Sequence, residues 1–495
     1  MRKKSKTMLA VLLAAAMVLP MAACGKKPAA DTGSDKTTEP EPTVTAAAES
    51  STEADGAEAP APTGTGNENV DRLNEVYSKY PAFDMGGRTI KVALFYDMYY
   101  DSTDTVPEDN PNVSNVESAQ RRIDNMRRIE EKYNCRIEYI NPGSEALIDS
   151  LNTSVVAGTP DYDVYLTQMS FALPLAVNGY FENLSDISKD YEDINNSQNI
   201  LTPFKVAGTN CFFSKSSKNI ASNYLVYNAD MLKQLGLEDP NELYAKGEWT
   251  WEKFGELAKA STQDTDSNGV TDIYGYGGDL TMTIQEFLAS NNAVLVKEDK
   301  TEGVTDPKTL EVFQFLSKLY NDDKAGRPIN ADWGDNIYAW TQSKCVFAPT
   351  QMWILQTTEG INFNYRIVPW PKGPSGDGTK AGQAFNDYFV IPKGVKDVDK
   401  VYQIMEEFFG WFGDDLETRD ADTIELAEGC FLDENDVETA FKIGDMGIGD
   451  IWTIVDKDYI ICNIFNSVCE KDMTASQAVA ANKQLFQDEI DKLLK

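Results

Sequence analysis

The sequence of 495 residues contains no histidine. Histidine is the usual base of catalytic triads and the commonest ligand of zinc and copper. Its absence excludes Ser-His-Asp and Cys-His catalysis and leaves transition-metal chemistry without its main ligand. The chain has only seven cysteines, and none of them forms a CxxC motif; metal and redox sites commonly use that spacing. These absences favour binding over catalysis.

Six of the cysteines are scattered singly along the chain. They are Cys135, Cys211, Cys345, Cys430, Cys462 and Cys469. Their even number permits disulfide bonds in an exported protein, whereas an apolar setting such as Cys345-Val346-Phe347 is equally typical of small core residues. The sequence leaves both alternatives open.

Long apolar runs are also missing, except at the N-terminus. Four basic residues precede the apolar stretch 8–21, and Ala22-Ala23-Cys24 follows it. This pattern predicts a signal peptide over residues 1–23. Small residues directly before a cysteine are typical of bacterial lipoprotein signals, so we expect a lipid on Cys24 that anchors the chain at the extracellular face of the cell membrane. A plain secretory signal or a short membrane anchor is the alternative.

Residues 24–68 contain almost no aliphatic or aromatic side chains. Pro, Ala, Thr, Ser, Gly and Glu dominate the segment. It therefore cannot bury enough apolar surface to offset the entropy of ordering. We expect a lipidated cysteine and a disordered linker here, followed by a folded part that begins near residue 69.

Acidic residues greatly outnumber basic ones. The formal net charge is −34, and removal of the four basic residues of the signal lowers it to −38. A field of this sign disfavours nucleic acids, anionic membranes and anionic solutes as partners, and it is compatible with a neutral solute.

From residue 89 onward, strand-like runs alternate with helix-like runs. Strands are indicated at 89–96, 136–140 and 163–166, with helices between them at 117–133 and after a cap at Ser144. This βαβαβ order predicts a doubly wound α/β lobe with a parallel sheet. Further strands at 224–227, 365–370 and 388–391, and helices that begin after Thr250, Asp306 and Thr474, continue the alternation.

Six short motifs are spaced along the folded part. They are Ile129-Glu130-Glu131-Lys132-Tyr133, Ala157-Gly158-Thr159-Pro160, Leu225-Val226-Tyr227-Asn228, Gly247-Glu248-Trp249-Thr250-Trp251, Val368-Pro369-Trp370-Pro371-Lys372-Gly373-Pro374 and Ile391-Pro392-Lys393-Gly394. In this order they resemble the extracellular solute-binding proteins of family 1, the group that contains maltose-binding protein. The resemblance covers nearly all of the folded part.

The resemblance implies a periplasmic-binding-protein-like fold of two doubly wound α/β lobes joined by a hinge. The solute would lie in the cleft and be enclosed when the lobes close. By analogy, lobe 1 comprises residues 85–210 plus 372–420, and lobe 2 comprises residues 211–371 plus 421–495. The hinge crossings would fall near 213–222 and 368–373.

Sugar sites combine aromatic platforms for the apolar face of a pyranose with planar polar groups for its hydroxyls. In open α/β lobes such residues lie beyond the carboxyl ends of the strands. The candidates that follow strands are Tyr96, Asp97, Tyr99, Gln168, Met169, Phe171 and Trp353. The resemblance adds Met282 and Gln285, at a helix start that would reach the cleft. Asn386, Asp387 and Tyr388 lie at a strand entrance near the hinge. The resemblance places a stacking tryptophan in the segment of Trp353. Trp249 and Trp251 flank a helix cap, and we assign them to packing.

Residues 264–272 have the spacing of the first nine positions of an EF-hand-like calcium loop. Asp264, Asp266, Asn268 and Asp272 would supply side-chain oxygens, and Val270 a backbone carbonyl. The twelfth position is Gly275, so the usual bidentate glutamate is missing. A structural calcium site and a metal-free glycine turn both remain open.

Together these features predict a lipid-anchored binding protein, not an enzyme. It would capture a mono- or oligosaccharide by hinge closure and deliver it to the permease subunits of an ABC importer. We expect a monomer that requires no cofactor, binds no nucleic acid and contacts the membrane only through its lipid. The alternatives are a surface glycosidase, with its two carboxylates among the 79 acidic residues, and a binding protein for a non-sugar solute.

Overall fold

The computed structural model describes residues 65–95, 100–110, 113, 115–188, 207–214, 220–330, 332–357, 361–382, 387–448, 450–469 and 473–495. The predicted signal peptide, Cys24 and nearly all of the predicted linker lie outside these residues. Residues 72–495 belong to one structural unit. Within the preceding unit, the Thr65 backbone N–H donates a 2.7 Å hydrogen bond to Asp71 Oδ1. In the described part of the chain, no helix is long and apolar enough to span a bilayer.

The first sheet contains five strands. They are β1 Arg88–Ala93, β2 Cys135–Ile140, β3 Val164–Gln168, β4 Phe212–Phe213 and β10 Asp387–Val390. Their order is β2-β1-β3-β10-β4. β1 is parallel to both β2 and β3, whereas β10 is antiparallel to its neighbours β3 and β4.

The second sheet contains four strands. They are β5 Asn223–Asn228, β6 Tyr274–Tyr276, β7 Cys345–Gln351 and β8 Tyr365–Val368. Their order is β6-β7-β5-β8, with β5 antiparallel to β7 and β8 and β6 parallel to β7. Two short strands, β9 Ala381–Gly382 and β11 Gly447–Ile448, form a separate parallel pair.

Both larger sheets are mixed, so the prediction of a parallel sheet is wrong for part of each. The antiparallel strands are β5 and β10. The chain leaves the first sheet after β4 and enters the second through β5, then leaves the second after β8 and returns through β10. Each entering strand arrives from the other sheet rather than from a crossover helix of its own sheet, so it is free to run in the opposite direction.

Helices connect and cover the strands. In chain order they are α1 Glu68–Val76, α2 Val116–Tyr133, α3 Ser144–Ser150, α4 Met169–Val177, α5 Ala229–Gln234, α6 Pro240–Lys246, α7 Trp251–Ser261, α8 Leu280–Ser290, α9 Pro307–Ser317, α10 Trp333–Ile337, α11 Met352–Thr357, α12 Val398–Phe409, α13 Leu416–Cys430, α14 Glu434–Asp445, α15 Trp452–Val455, α16 Ile460–Cys469 and α17 Ala475–Leu494. A π-helical turn at Leu151–Val155 extends α3, and another at Lys318–Asp322 extends α9.

Side-chain caps fix several of these helix starts. Thr250 accepts a hydrogen bond from the Lys253 backbone N–H, and Thr474 forms a capping box with Gln477. The cap at Thr250 confirms the sequence prediction, and the helix after Thr474 begins where the amphipathic segment was predicted to begin. The prediction for Ser144 is wrong, because Gly143, with φ at 83°, occupies the cap position and Ser144 is the first helical residue. The positive φ favours glycine there.

Each sheet has its own buried layer. Ile90 and Val164 of the first sheet pack with Ile404 of α12 in one buried cluster. Val226 and Ile367 of the second sheet belong to a separate buried cluster. The largest apolar cluster includes residues of both sheets and of the C-terminal helices α16 and α17. The structure confirms an α/β fold with two sheets. The lobe boundaries given above remain a prediction.

Two of the sequence motifs meet in the structure. Gly394 has φ at 99°, and a Cβ built on it would lie 2.6 Å from the Gly158 carbonyl oxygen. Only glycine fits this approach between the segments 157–160 and 391–394. The six scattered cysteines are all described, and none of them forms a disulfide bond.

Candidate functional site

Trp353 lies in the first turn of α11, directly after β7. Its side chain is half-buried, and its Nε1 atom donates a 2.6 Å hydrogen bond to Gln351 Oε1. The ring stacks on Trp333 with centroids 5.9 Å apart and an interplanar angle of 17°. Trp333 is 44 % exposed. The two indoles therefore form a partly exposed aromatic surface, which we call the tryptophan pair.

The tryptophan pair is held on both of its sides. Trp333 Nε1 donates a 3.1 Å hydrogen bond to Asp279 Oδ2, and Asp279 Oδ1 accepts from the Met282 backbone N–H at the start of α8. Met282 packs with Ile337 and Ile354, and the Trp353 ring packs against this cluster. Burial raises the pKa of Asp279 above its usual value. This support limits the rotamers open to both rings.

Trp333 was not among the candidates predicted from sequence. It follows the loop after α9, in a segment without clear periodicity, and β7 separates it from Trp353 in the chain. Only the packing of α10 against α11 brings the two rings together. The helix-capping signal at Asp332, whose side chain accepts from the Asp335 backbone N–H, was the one available clue.

A line of hydrogen bonds leads from Trp353 into the interior. Gln351 Nε2 donates to Asn223 Oδ1 at 2.7 Å, and Asn223 Nδ2 donates to Glu286 Oε1 at 2.9 Å. Asn223 and Gln351 are direct partners across β5 and β7. Glu286 Oε2 accepts from the Gly382 backbone N–H of β9 at 2.9 Å. We call this set the amide chain.

Glu286 lies at the inner end of the amide chain and is fully buried. Burial raises its pKa to about 8, while the hydrogen bonds from Asn223 and Gly382 oppose the rise. Gln285, a predicted site residue, precedes it on α8 and is 8 % exposed. Predicted Met282 is likewise buried and supports the tryptophan pair.

On the first sheet, the predicted residues after β3 divide into exposed and buried ones. Phe171 is 40 % exposed and Gln168 is half-buried at the strand end. Met169 is 1 % exposed and belongs to the core. Tyr96, Asp97 and Tyr99, which follow β1 in sequence, lie outside the described residues. Phe171 and Gln168 are thus the described candidates that this strand end presents.

The structure describes only some of the predicted residues at the passage from β8 to β10. Asn386 lies outside the described residues, and Asp387 is described as the first residue of β10 without its side chain. Tyr388 is 4 % exposed and packs edge-on against Phe212 at 6.2 Å. In this conformation Tyr388 serves packing.

Trp249 and Trp251 serve packing, which confirms the prediction. They are 3 % and 4 % exposed. Trp249 Nε1 donates to the Pro369 carbonyl at 2.8 Å, and Trp251 Nε1 donates to Ser290 Oγ at 3.1 Å. Their polar atoms are thereby satisfied inside the core.

The predicted calcium loop brings its three aspartates together. Carboxylate oxygens of Asp264, Asp266 and Asp272 lie within 4.8 Å of one another on the surface. Asp264 also accepts from the backbone N–H groups of Asn268 and Gly269, which folds the loop around the acids. These hard oxygen donors suit calcium, although the twelfth position, Gly275, is pressed against the Ala258 backbone and offers no side chain.

The tryptophan pair and its hydrogen-bond partners combine an apolar surface with polar groups. Two stacked indoles offer a flat apolar face, and the amides and carboxylates around them supply planar hydrogen-bonding groups. A pyranose presents the complementary pair of surfaces, a C–H face and a belt of hydroxyls.

Comparison with known proteins places the chain among binding proteins. The sequence profile of the family described as bacterial extracellular solute-binding protein matches residues 116–415. No curated protein sequence is significantly similar to the chain.

Several solved structures are similar in fold. The cyclic alpha-maltosyl-1,6-maltose binding protein from Arthrobacter globiformis is 14 % identical with a TM-score of 0.58, covering 82 % of this chain and 100 % of its own. A cyclo/maltodextrin-binding protein complexed with maltotetraose is 15 % identical with a TM-score of 0.54, covering 82 % and 98 %. UgpB from Mycobacterium tuberculosis, in complex with glycerophosphocholine, is 15 % identical with a TM-score of 0.55, covering 77 % and 97 %. At these identities the likeness shows a shared fold, the mixed α/β fold of periplasmic binding proteins.

Proposed function

The chain belongs to the bacterial extracellular solute-binding protein family, and from this premise we propose that it is the capture subunit of an ABC importer for a neutral carbohydrate. The family is one of binding proteins, which excludes the glycosidase alternative. The importer and the class of solute are the parts that we add.

The tryptophan pair carries the proposal for a carbohydrate. Its rings are stacked and supported by a buried cluster, and its outer ring is 44 % exposed. Stacked aromatic pairs contribute about 0.5–1.5 kcal/mol beyond their buried area, and we expect a contribution of similar size from the C–H face of a sugar on an indole. Gln351 and Asp279 accept hydrogen bonds from the two indole N–H groups, and we expect sugar hydroxyls to be bound beside them.

The charge of the chain supports a neutral solute. With a net charge of −34, the protein repels anionic solutes. Two of the similar structures carry maltose-type sugars in their descriptions, while a third carries glycerophosphocholine. A zwitterionic solute is therefore the alternative to a neutral sugar.

Capture would proceed by hinge closure. The chain passes between the two sheets twice, from β4 to β5 and from β8 to β10, and lobes rotate about crossings of this kind. The residues after β3 and the tryptophan pair would face the solute from opposite lobes. The closed form would then be recognised by the permease subunits. A lipid on Cys24 and the linker 24–68 would keep the protein at the extracellular face of the membrane.

Calcium at the loop 264–272 would have a structural role in this function. The three aspartates converge, but their loop lies on the surface and is exposed. Calcium there would join the turn to the start of β6 without contacting solute.

A thermal-shift and calorimetric screen tests the proposal. The chain from residue 25 onward is titrated with maltooligosaccharides, other neutral sugars, glycerophosphocholine, amino acids and peptides. We expect a melting-temperature rise with one neutral saccharide series and no release of products from it. A response to glycerophosphocholine or peptides alone would reject the carbohydrate but keep the family.

Deletion of the gene tests the importer role. It should abolish uptake of the same sugar, and unchanged uptake would reject that role.

A further inference from the structure

The amide chain has a donor at each end. At the outer end stands the indole N–H of Trp353, and at the inner end the backbone N–H of Gly382. Neither group can accept a hydrogen bond. A side-chain amide in such a chain donates to one neighbour through its nitrogen and accepts from the other through its oxygen. Successive amides must therefore all donate in the same direction. A chain with donors at both ends therefore needs one member that accepts on both sides.

Glu286 is that member. Its Oε1 accepts from Asn223 and its Oε2 accepts from Gly382, and an ionised carboxylate accepts on both oxygens with no proton of its own to place. Accepting from Asn223 forces that amide to present Oδ1 to Gln351. Gln351 in turn presents Oε1 to Trp353. The direction of every bond in the chain thus follows from the acid at its inner end.

We infer that Glu286 is a positioning residue: through Asn223 and Gln351 it sets the hydrogen-bond direction that holds the Trp353 ring in the tryptophan pair. The chain explains why an acid lies fully buried on α8, where none of the described cations contributes to its ionisation. It also explains why Asn223, likewise fully buried, stands opposite Gln351 in the sheet.

The surroundings of Glu286 oppose this ionised state. Its packing partners are Asn223 on β5 and Gly382 on β9, and the titratable side chain that interacts with it is Tyr276 on β6. Burial raises the pKa of Glu286 to about 8 and the pKa of Tyr276 well above its usual value. Protonation of Glu286 provides a donor for a reversed Asn223, and the chain then ends with Gln351 Nε2 facing the Trp353 N–H, two donors in opposition.

Two substitutions distinguish a role of Glu286 in setting the hydrogen-bond direction from a role in packing alone. In Glu286→Gln the new amide reverses Asn223 and Gln351, and the Trp353 N–H loses its acceptor. In Gln351→Glu the Trp353 N–H keeps an acceptor, but Asn223 turns its oxygen toward Glu286. In the double variant the donors and acceptors match again along the whole chain, with the acid at the outer end. A role in packing alone predicts no such rescue.

The test is the indole N–H resonance of Trp353 in the solute-free chain labelled with ¹⁵N, recorded at pH 9 and assigned with Trp353→Phe. We expect hydrogen exchange of this N–H to be faster by about tenfold in Glu286→Gln and to return to the original rate in the double variant. The N–H of Trp249, which donates to a backbone carbonyl, is the internal control. Gln351→Ala removes the acceptor while leaving Glu286 in place and should show the same loss as Glu286→Gln.

An unchanged Trp353 resonance in folded Glu286→Gln, or no recovery in the folded double variant, overturns the inference. A second measurement, also at pH 9, rests on the proposed function and uses maltotetraose as the probe. Affinity should fall about fivefold in Glu286→Gln and recover in the double variant. Absence of maltotetraose binding in the unsubstituted chain counts against the proposed sugar, whereas the exchange experiment still decides the role of Glu286.

Discussion

Trp333 and Trp353 stack at 5.9 Å between ring centroids and 17° from parallel, although the whole of β7 lies between them in the chain. Each indole N–H is bound by a different element, Trp333 by Asp279 at the cap of α8 and Trp353 by Gln351 at the end of β7. The polar atom of each indole is thus already hydrogen-bonded at the ring edge, and the ring faces offer apolar contact. Such a surface is suited to stack on a ring.

Replacement of Trp353 by alanine should weaken sugar binding. Loss of one stacking face costs at least about 1 kcal/mol, roughly fivefold in affinity. Trp333→Ala should cost a similar amount, because it removes the neighbour that aligns the ring. Calorimetry with the sugar found in the screen measures both, and Tyr459→Ala, at a 70 % exposed aromatic outside the pair, is the matched control. Unchanged affinity in both folded variants would exclude the pair from the site.

The fold was predictable from local patterns, and the site only partly so. The alternation of strands and helices identified the α/β class, and the capping signal at Thr250 and the amphipathic pattern from Thr474 placed two helix starts correctly. The direction of β5 and β10 was not encoded locally, because it depends on the chain passing between sheets. For the same reason the opposition of Asn223 to Gln351 could not be foreseen. Glu286 reads in sequence as an ordinary helical residue, and only the approach of β9 makes it a buried acid.

The free energy of unfolding should depend on pH through the titration of Glu286. Its folded pKa, about 8, lies above the usual value of 4.5, so its protonated form favours folding. The stabilisation is complete at pH values below the unfolded pKa and is lost as the pH rises toward 8, by up to about 1.4 kcal/mol per pH unit. Asp436 and Asp450, with pKa values raised to about 6 by burial, act in the same direction at lower pH.

Urea unfolding of the original chain and of Glu286→Gln between pH 5 and pH 9 isolates this contribution. The free energy of unfolding of the variant should fall less steeply with pH, and the difference in slope should be confined to the range between about 4.5 and about 8. Parallel pH profiles for the two proteins would show that the buried acid does not titrate in this range.

Gly382 should tolerate no side chain. A Cβ there would lie 2.8 Å from Glu286 Oε1, so Gly382→Ala displaces the acid from its backbone donor and should cost about 1–3 kcal/mol of stability. Gly429 lies inside α13, and a Cβ at this position would meet no described atom within 4 Å. Gly429→Ala is the matched control and should be neutral or stabilise by up to about 1 kcal/mol. Equal thermal stability of the two variants would contradict the close packing of β9 on α8.

Calcium should raise the melting temperature through the loop 264–272. Binding to the folded chain alone stabilises it by mass action, and Asp264→Asn or Asp266→Asn should remove most of the shift because each deletes a charged ligand. Asp299→Asn alters another exposed aspartate, which accepts from Thr301 in a local turn, and serves as the control. A calcium titration without any shift, or a shift that survives both substitutions, would identify the loop as a metal-free turn.

The fully buried Glu407 should be the most sensitive charged position of the first sheet's helical layer. It lies on α12 and forms 2.7 Å ion pairs with Arg128 and Lys132 of α2. Glu407→Ala leaves two cations in the interior without their counter-charge, and breaking a buried pair in this way costs about 3–5 kcal/mol. Glu242→Ala removes an exposed partner of Lys246 at 3.4 Å and should cost less than about 0.5 kcal/mol. Urea unfolding compares the two, and a similar small loss in both would mean that water reaches the α2–α12 contact and screens the charges there.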